Sequence, residues 1–150
     1  MMVDVEFSDD QARLNVDKIH LFLTHHSSWA QGISKATVAK SIAHSVCIGG
    51  YVEGEQVAFC RLITDHATFA NLVDVVVWPD YRGLGISKLL MQQVMAHPSV
   101  ADVRRFTLAT SDAHGLYQQF GFGFVDKPET LMQIYKPDIY QNKPQTEVLS

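Results

Sequence analysis

Hydrophobic positions follow two different periods along this chain, and the changes of period mark the boundaries of the predicted elements. Alternating or β-branched apolar runs predict strands over residues 3–7, 45–52, 56–64, 69–78 and 104–110, and two last strands over 122–125 and 131–135. Helical spacing predicts one helix that follows the capping residues 8–10 and ends near 25–28, and others over 37–43, 85–96 and 112–120. The segment Glu53-Gly54-Glu55 is typical of a hairpin turn, so the second and third strands should be antiparallel neighbours.

The order of these elements predicts a mixed α/β fold, with helices on both faces of a twisted sheet. The chain passes from the fourth strand to the fifth through the helix over 85–96, and such a crossover joins parallel strands. With 150 residues, one domain is expected. We expect it to span residues 1–136 and residues 137–150 to form a flexible tail, because that segment has little to bury.

Composition and charge exclude several classes of protein. The formal charge is −4 and no dense basic run is present, which disfavours a nucleic-acid partner. No apolar run approaches the ~20 residues of a membrane-spanning helix, so no membrane partner is expected. Cys47 and Cys60 lie in apolar stretches typical of free thiols, and the N-terminus lacks the pattern of a signal peptide, so a cytoplasmic location is expected. The seven histidines show no ligand spacing, and no metal is expected.

One segment of the sequence has the features of an anion-binding site. Residues 75–90 join a buried strand to an amphipathic helix through a turn that contains Gly83 and Gly85. The first N–H groups of a helix and its dipole stabilise an anion such as a phosphate, and Arg82 and Lys88 add positive charge. The two glycines by themselves fit a plain tight turn equally well.

The motif Arg82-Gly83-Leu84-Gly85-Ile86-Ser87 resembles the acyl-CoA signature R/Q-x-x-G-x-G/A of the GNAT superfamily of N-acetyltransferases, with Ser87 in place of Gly or Ala. The segment Leu116-Tyr117-Gln118-Gln119-Phe120-Gly121-Phe122 is similar to the late L-Y-x-x-F-G-F segment of that family. Thr110 stands where the family often has Asn. The two motifs have a family-like separation, and the resemblance covers residues 3 to 136.

The resemblance implies a mostly antiparallel sheet whose fourth and fifth strands splay apart, with acetyl-CoA as co-substrate. The acceptor would be the primary amine of a small molecule, attacking the thioester directly, and a homodimer is compatible with the family. Main-chain groups of Val75 and Val77 would pair with the pantetheine arm. The CoA pyrophosphate would be held by Arg82 and by the N–H groups of Gly83, Leu84, Gly85, Ile86, Ser87 and Lys88.

The resemblance also assigns candidate roles to three side chains. Tyr117 matches the family's general acid, since a phenol is protonated at neutral pH and can donate to a thiolate. Asp74 is either a base that acts through water and positions the ammonium, or a structural Asp bonded to local backbone. Trp29 is either an acceptor wall that holds an amine by cation–π attraction or a cover for the core. Asp65, Asp112 and His114 are reserve candidates for the base.

Two alternatives to a small-molecule N-acetyltransferase stay open. One is a catalytically silent CoA-binding or sensor module, which would retain the loop but have no need of an acid at position 117. The other is an acetyltransferase of a protein or peptide amine. Tyr117 favours an enzyme over a silent module.

Overall fold

The structure is a computed structural model that describes residues 3–141. Two compact units divide these residues. The first joins residues 3–15 to 41–122 and contains the sheet, whereas the second joins residues 16–40 to 123–141.

The first unit contains a five-stranded mixed sheet. Its strands are β1 (Glu6–Ser8), β2 (Val46–Val52), β3 (Glu55–Thr64), β4 (Phe69–Val77) and β5 (Arg105–Leu108), and they lie side by side in that order. The first four are antiparallel, and β4 and β5 are parallel. The predicted mixed α/β fold, the hairpin of β2 with β3 and the crossover are therefore confirmed.

Helix α3 (Ile86–Ala96) forms the crossover and packs against β2, β3 and β4. Helix α3 can pack on the sheet because it has an apolar stripe along one side. The hydrophobic cluster of the first unit contains Ile86, Leu90, Met91 and Val94 of this helix, residues of the sheet and Tyr117 of helix α4 (His114–Gln118). The remaining helices are α1 (Val16–His26) and α2 (Lys35–Ala43). In α1, Ile19, Phe22 and Leu23 are buried.

The first helix begins later than predicted. Asp10 caps only a short turn over Gln11–Arg13, and α1 starts at Val16. The side chain of Gln11 donates to the carbonyl groups of Ile42 and Ser45 at 2.8 and 2.9 Å. The backbone of Asn15 donates to the side chain of Gln56. The bond to Gln56 takes the N–H of Asn15 that a helical bond would use, and the side chain of Gln11 holds the preceding turn against residues 42 and 45.

The two last predicted strands, over 122–125 and 131–135, are wrong, because neither segment forms a strand. Both have the side-chain pattern of strands, but a strand also requires a neighbouring backbone to bond with. Residues 137–141, expected in a flexible tail, form a turn in which Gln141 donates to the carbonyl of Asp138. The rest of the predicted tail, 142–150, lies outside the described residues.

Candidate active site

Strands β4 and β5 separate halfway along β4. Their ladder runs from Phe69 opposite Arg105 to Leu72 opposite Leu108, and β4 then continues to Val77 without β5 beside it. The main chain of Val75 and Val77 therefore lies beyond the end of the parallel ladder. An extended ligand could add to this part of β4 as a further strand would.

A β-bulge interrupts β4 at the same place. Phe59 lies opposite Val76 and Arg61 lies opposite Val73, so β4 has one residue more than β3 in this interval. Asp74 is in the bulge and has a φ of 55°, in the left-handed region. Asp tolerates this region better than most residues, although such a conformation still costs roughly 1–3 kcal/mol. The bulge re-aims the Asp74 side chain.

Asp74 forms a buried ion pair with Arg61. The guanidinium Nε lies 3.0 Å from Oδ2 of Asp74, and the two side chains are only 14% and 7% exposed. A second guanidinium nitrogen donates to Oγ of Ser45 at 2.9 Å, and that hydroxyl donates to the carbonyl of Ser41 at 2.7 Å. The charge of Asp74 is thus compensated within the protein.

This pair lies on the face of the sheet opposite to Tyr117. Arg61 stands between Cys60 and Leu62, both of which belong to the cluster that contains Tyr117. Because successive side chains of a strand alternate between faces, Arg61 and its partner Asp74 point away from that cluster. The structure therefore separates the two residues that the sequence proposed for acid–base chemistry.

The glycine turn leads from β4 into α3. Gly83 and Gly85 have φ values of 78° and 80°, and a Cβ on either would meet no atom within 4 Å. Their positive φ angles explain the need for glycine here, and the space at each Cβ position is open among residues 3–141. Nε of Arg82 donates to the carbonyl of Val77 at 2.9 Å and holds the turn against the end of β4.

The start of α3 presents a row of available donors. The first hydrogen bond into the helix is from the N–H of Leu89 to the carbonyl of Gly85. The six preceding N–H groups, of residues 83–88, have no hydrogen-bond partner among residues 3–141. Together with the helix dipole, these groups form a site suited to a diphosphate.

Tyr117 is buried in α4, only 9% exposed, with its ring edge-on to Phe122 at 6.2 Å. Burial raises its pKa above the usual value of 10, and the nearby Cys60 and Asp112 act in the same direction. Thr110, which replaces the family's Asn, accepts from the N–H of Ala113 at 3.0 Å and so supports the start of α4.

The other candidates are placed differently. Trp29 belongs to the second unit, between α1 and α2, and is 48% exposed. Asp65 accepts hydrogen bonds from the hydroxyl of Thr68 and from three N–H groups of its own turn, which hold its pKa well below the usual range. Asp65 is therefore a stabiliser of the β3–β4 turn and a poor base.

Sequence reasoning missed the partner of Asp74. Arg61 is a charged residue inside the otherwise apolar run from Val57 to Ile63. A charge in such a run requires a partner when the strand is buried. The sequence therefore indicates that Arg61 has a partner of opposite charge. It does not show which carboxylate is that partner.

Comparisons with known proteins identify the family. A family model described as an acetyltransferase (GNAT) domain matches residues 43–123, which include the bulge, the glycine turn and Tyr117. The chain belongs to the GNAT superfamily of acetyltransferases. The match covers more than half of the chain and both motifs on which the resemblance was based.

Individual relatives agree with this family. A crystal structure of a GNAT-family protein from Xanthomonas campestris pv. campestris is 49% identical, with a TM-score of 0.92, over 95% of this chain and 100% of that one. A protein of Gibberella zeae named as an acetyltransferase is 30% identical over 134 residues, 76% of each chain. An uncharacterised N-acetyltransferase of Porphyra purpurea is 36% identical over 67 residues, 44% of this chain and 38% of that protein. This chain thus matches well under half the length of the Porphyra relative.

Two further findings concern what a GNAT chain could bind. Among residues 3–141, no group of three or more His, Cys, Asp or Glu residues could hold a metal ion. No helix in that range is long and apolar enough to cross a bilayer.

Proposed function

We propose that this GNAT protein is an acetyl-CoA-dependent N-acetyltransferase that acetylates the primary amine of a small molecule. The observation that carries the proposal is the run of six N–H groups at residues 83–88, at the start of α3, which have no hydrogen-bond partner among residues 3–141. Every helix leaves its first N–H groups without an intrahelical partner, and here the run extends back through Leu84 to Gly83. The pyrophosphate of CoA can accept hydrogen bonds from such groups.

The same region would hold the rest of the cofactor. Lys88 adds positive charge beside the turn, and Arg82 adds charge while its Nε stays on the carbonyl of Val77. The pantetheine arm would lie along Val75 and Val77, where β4 continues past the end of β5. The open space at Gly83 and Gly85 lets the backbone approach the phosphates closely.

The chemistry that we propose is direct transfer. A neutral amine attacks the acetyl carbonyl carbon, the new C–N bond forms, the C–S bond breaks, and the ammonium proton is lost. Tyr117 would donate its hydroxyl proton to the departing thiolate. The phenol is protonated throughout the neutral range, as a proton donor must be, and burial raises its pKa further, which makes it a weaker acid.

Asp74 has two proposed roles, and its contacts favour one of them. As a base, it would take the ammonium proton of the acceptor through a water. As a structural residue, it would fix the bulge of β4 through Arg61. The buried pair with Arg61 favours the structural role, because a compensated carboxylate attracts an ammonium less strongly.

A thiol-release screen tests the proposed function. Acetyl-CoA is mixed with polyamines, amino acids, aminoglycosides, aryl amines and peptides with free N-termini, and free CoA is measured. We expect release with at least one small amine. Release with peptides alone would assign a protein or peptide substrate. Acetyl-CoA binding in calorimetry without release by any acceptor class would indicate a silent CoA-binding module.

Two assignments beyond the reaction stay proposals. The cytoplasmic location rests on the sequence alone. The homodimer that the family resemblance allows is a proposal as well.

A further inference from the structure

Two side chains beside the candidate active site have hydrogen-bond donors that remain available. Arg61 donates from Nε to Asp74 and from Nη1 to Ser45, and its third nitrogen, Nη2, has no hydrogen-bond partner among residues 3–141. Oδ1 of Asn71 accepts from the hydroxyl of Thr107 at 2.9 Å, and the amide nitrogen Nδ2 of Asn71 has no partner in the same range. Both side chains are only partly buried, and both nitrogens reach solvent.

These two donors lie on one face of the sheet. Arg61 lies opposite Val73, and Ile63, two residues further along β3, lies opposite Asn71. Residues two apart in a strand share a face, so Arg61 and Asn71 point to the same side. They are diagonal neighbours across β3 and β4, roughly 7–8 Å apart, and at that separation long side chains can reach one ligand.

The same face borders the position expected for the thioester. The parallel ladder ends at Leu72, so a pantetheine arm that runs from the glycine turn along β4 would have its thioester near Val73 or Asp74. Arg61 lies opposite Val73 on the neighbouring strand. An acceptor that approaches the thioester from the face of Asp74 therefore meets the available nitrogen of Arg61.

The charges of Arg61 and Asp74 suit an acceptor that carries both signs of charge. An acceptor with only an ammonium would also face the guanidinium, which repels it. An acceptor with a carboxylate as well can place that group on Nη2 of Arg61 and Nδ2 of Asn71, and its amine towards Asp74 and the thioester. Nε of Arg61 lies 3.0 Å from Oδ2 of Asp74, so the amine and the carboxylate must also be close together, as they are on a single carbon atom.

Apolar side chains continue this face beyond Asn71, on the side away from the thioester. Ile63 lies opposite Asn71, and Phe69 precedes Asn71 by two residues on β4. Ile63 is 43% exposed and Phe69 is 40% exposed. A substituent on the carbon that carries the amine and the carboxylate can cover this apolar surface, and its burial there would favour binding.

We propose that the acceptor is an α-amino acid with an apolar side chain, and that Arg61 and Asn71 bind its carboxylate. The inference rests on the proposed function: the amine of the amino acid forms the C–N bond as the C–S bond of acetyl-CoA breaks, and the products are the N-acetyl amino acid and free CoA. Arg61 then has two functions, since Nε holds Asp74 in the bulge and Nη2 determines specificity.

A set of matched amines tests the acceptor class on the wild-type protein. Release of CoA is measured with phenylalanine, with phenethylamine, which lacks the carboxylate, and with phenylalaninol, which has a neutral hydroxyl in its place. We expect kcat/KM for phenylalanine to exceed the other two by about tenfold or more, because a guanidinium–carboxylate contact is charge-assisted. Equal values would overturn the proposal. Serine or glutamate used as well as phenylalanine would also overturn it, because the apolar surface would then have no part in binding.

Two variants test the proposed carboxylate site directly. Asn71→Asp places a negative charge where the carboxylate would bind, and it can still accept from Thr107. Arg61→Lys keeps a cation beside Asp74 but removes the planar guanidinium. In both, the ratio of kcat/KM for phenylalanine to that for phenethylamine should fall about tenfold or more.

The matched control is Gln92→Glu, the same change from amide to carboxylate at an exposed position of α3, which should leave this ratio unchanged. Circular dichroism establishes that each variant is folded. An unchanged ratio in either folded variant of the carboxylate site would overturn the proposal.

Calorimetry with CoA in place of acetyl-CoA measures amine binding without turnover. We expect phenylalanine to bind about tenfold or more tightly than phenethylamine. Acetyl transfer to phenethylamine without a preference for phenylalanine would refute this inference and support the proposed function. If no amine releases CoA, the proposed function fails, and the binding data still decide the carboxylate site: tighter binding of phenylalanine supports it, and equal binding refutes it.

Discussion

The buried pair of Arg61 and Asp74 allows the two roles of Asp74 to be separated by experiment. We consider Asp74→Asn, Arg61→Met and the double variant. Asn can accept from Nε of Arg61 in the position of Oδ2, and it tolerates the φ of 55° at the bulge. Met fills much of the volume of Arg61 but removes its charge and its hydrogen bonds.

The burial of the pair sets the expected magnitudes. Asp74 is only 7% exposed, so Arg61→Met leaves a buried carboxylate without this cation and should lower the free energy of unfolding by about 3–5 kcal/mol. Asp74→Asn keeps the hydrogen bond and leaves Arg61 its contact with Ser45, so the loss should be about 1–2 kcal/mol. The double variant should lose less than the sum of the single losses, with a coupling of roughly 0.5–3 kcal/mol.

Urea denaturation measures the free energies of unfolding, and steady-state kinetics with an acceptor from the screen measures kcat. The control is Asp102→Asn, at an exposed position, which should change stability by no more than about 0.5 kcal/mol. If Asp74 is structural, kcat of folded Asp74→Asn should stay within a factor of about three, since a general base contributes typically 10²–10⁴-fold.

Two results would refute this reasoning. A fall in kcat of Asp74→Asn by about 100-fold or more, with stability unchanged, would make Asp74 the base. Additive losses in the double variant would show that the pair does not stabilise the bulge as a unit. In the first case a raised acceptor KM would also support a cationic acceptor beside Asp74.

Three further predictions follow from the site and the core. Tyr117→Phe should lower kcat by about 10²–10⁴-fold at unchanged acetyl-CoA affinity and stability, and kcat retained within about twofold would contradict the acid role. Gly85→Val should weaken acetyl-CoA binding at least tenfold in calorimetry, whereas Gly54→Val, with a similar φ of 83° in the hairpin, should not; equal affinities would remove the turn from the CoA site. Burial raises the pKa of Cys47 from 9.0 to about 12, so the folded state keeps a proton that the unfolded chain releases, and stability falls as pH rises from 9 towards 12. In urea denaturation, the free energy of unfolding of the wild type should fall by about 2 kcal/mol more than that of Cys47→Ala between pH 9 and about pH 10.5. Equal falls in the two proteins would contradict the raised pKa of Cys47.

The sequence by itself determined the features that depend on local chemistry. Three such features depend on residues that are close together in the chain. They are the alternating side chains of β2 and β3, the Glu53-Gly54 turn between these strands and the apolar stripe of α3. The glycine turn is local as well, since it needs positive φ angles at Gly83 and Gly85 and a helix directly after them. These features were predictable because period, turn residues and capping act within a few residues.

Only the tertiary structure decided the features that require a partner far along the chain. The bulge that directs Asp74 to Arg61 depends on the register of β4 against β3, thirteen residues away in sequence. The late start of α1 depends on the hydrogen bond from Asn15 to Gln56. Residues 131–135 have the pattern of a strand, yet they form none in a single chain. A pattern of side chains specifies which face would be buried, but a strand or an ion pair exists only where another part of the structure supplies the opposing groups.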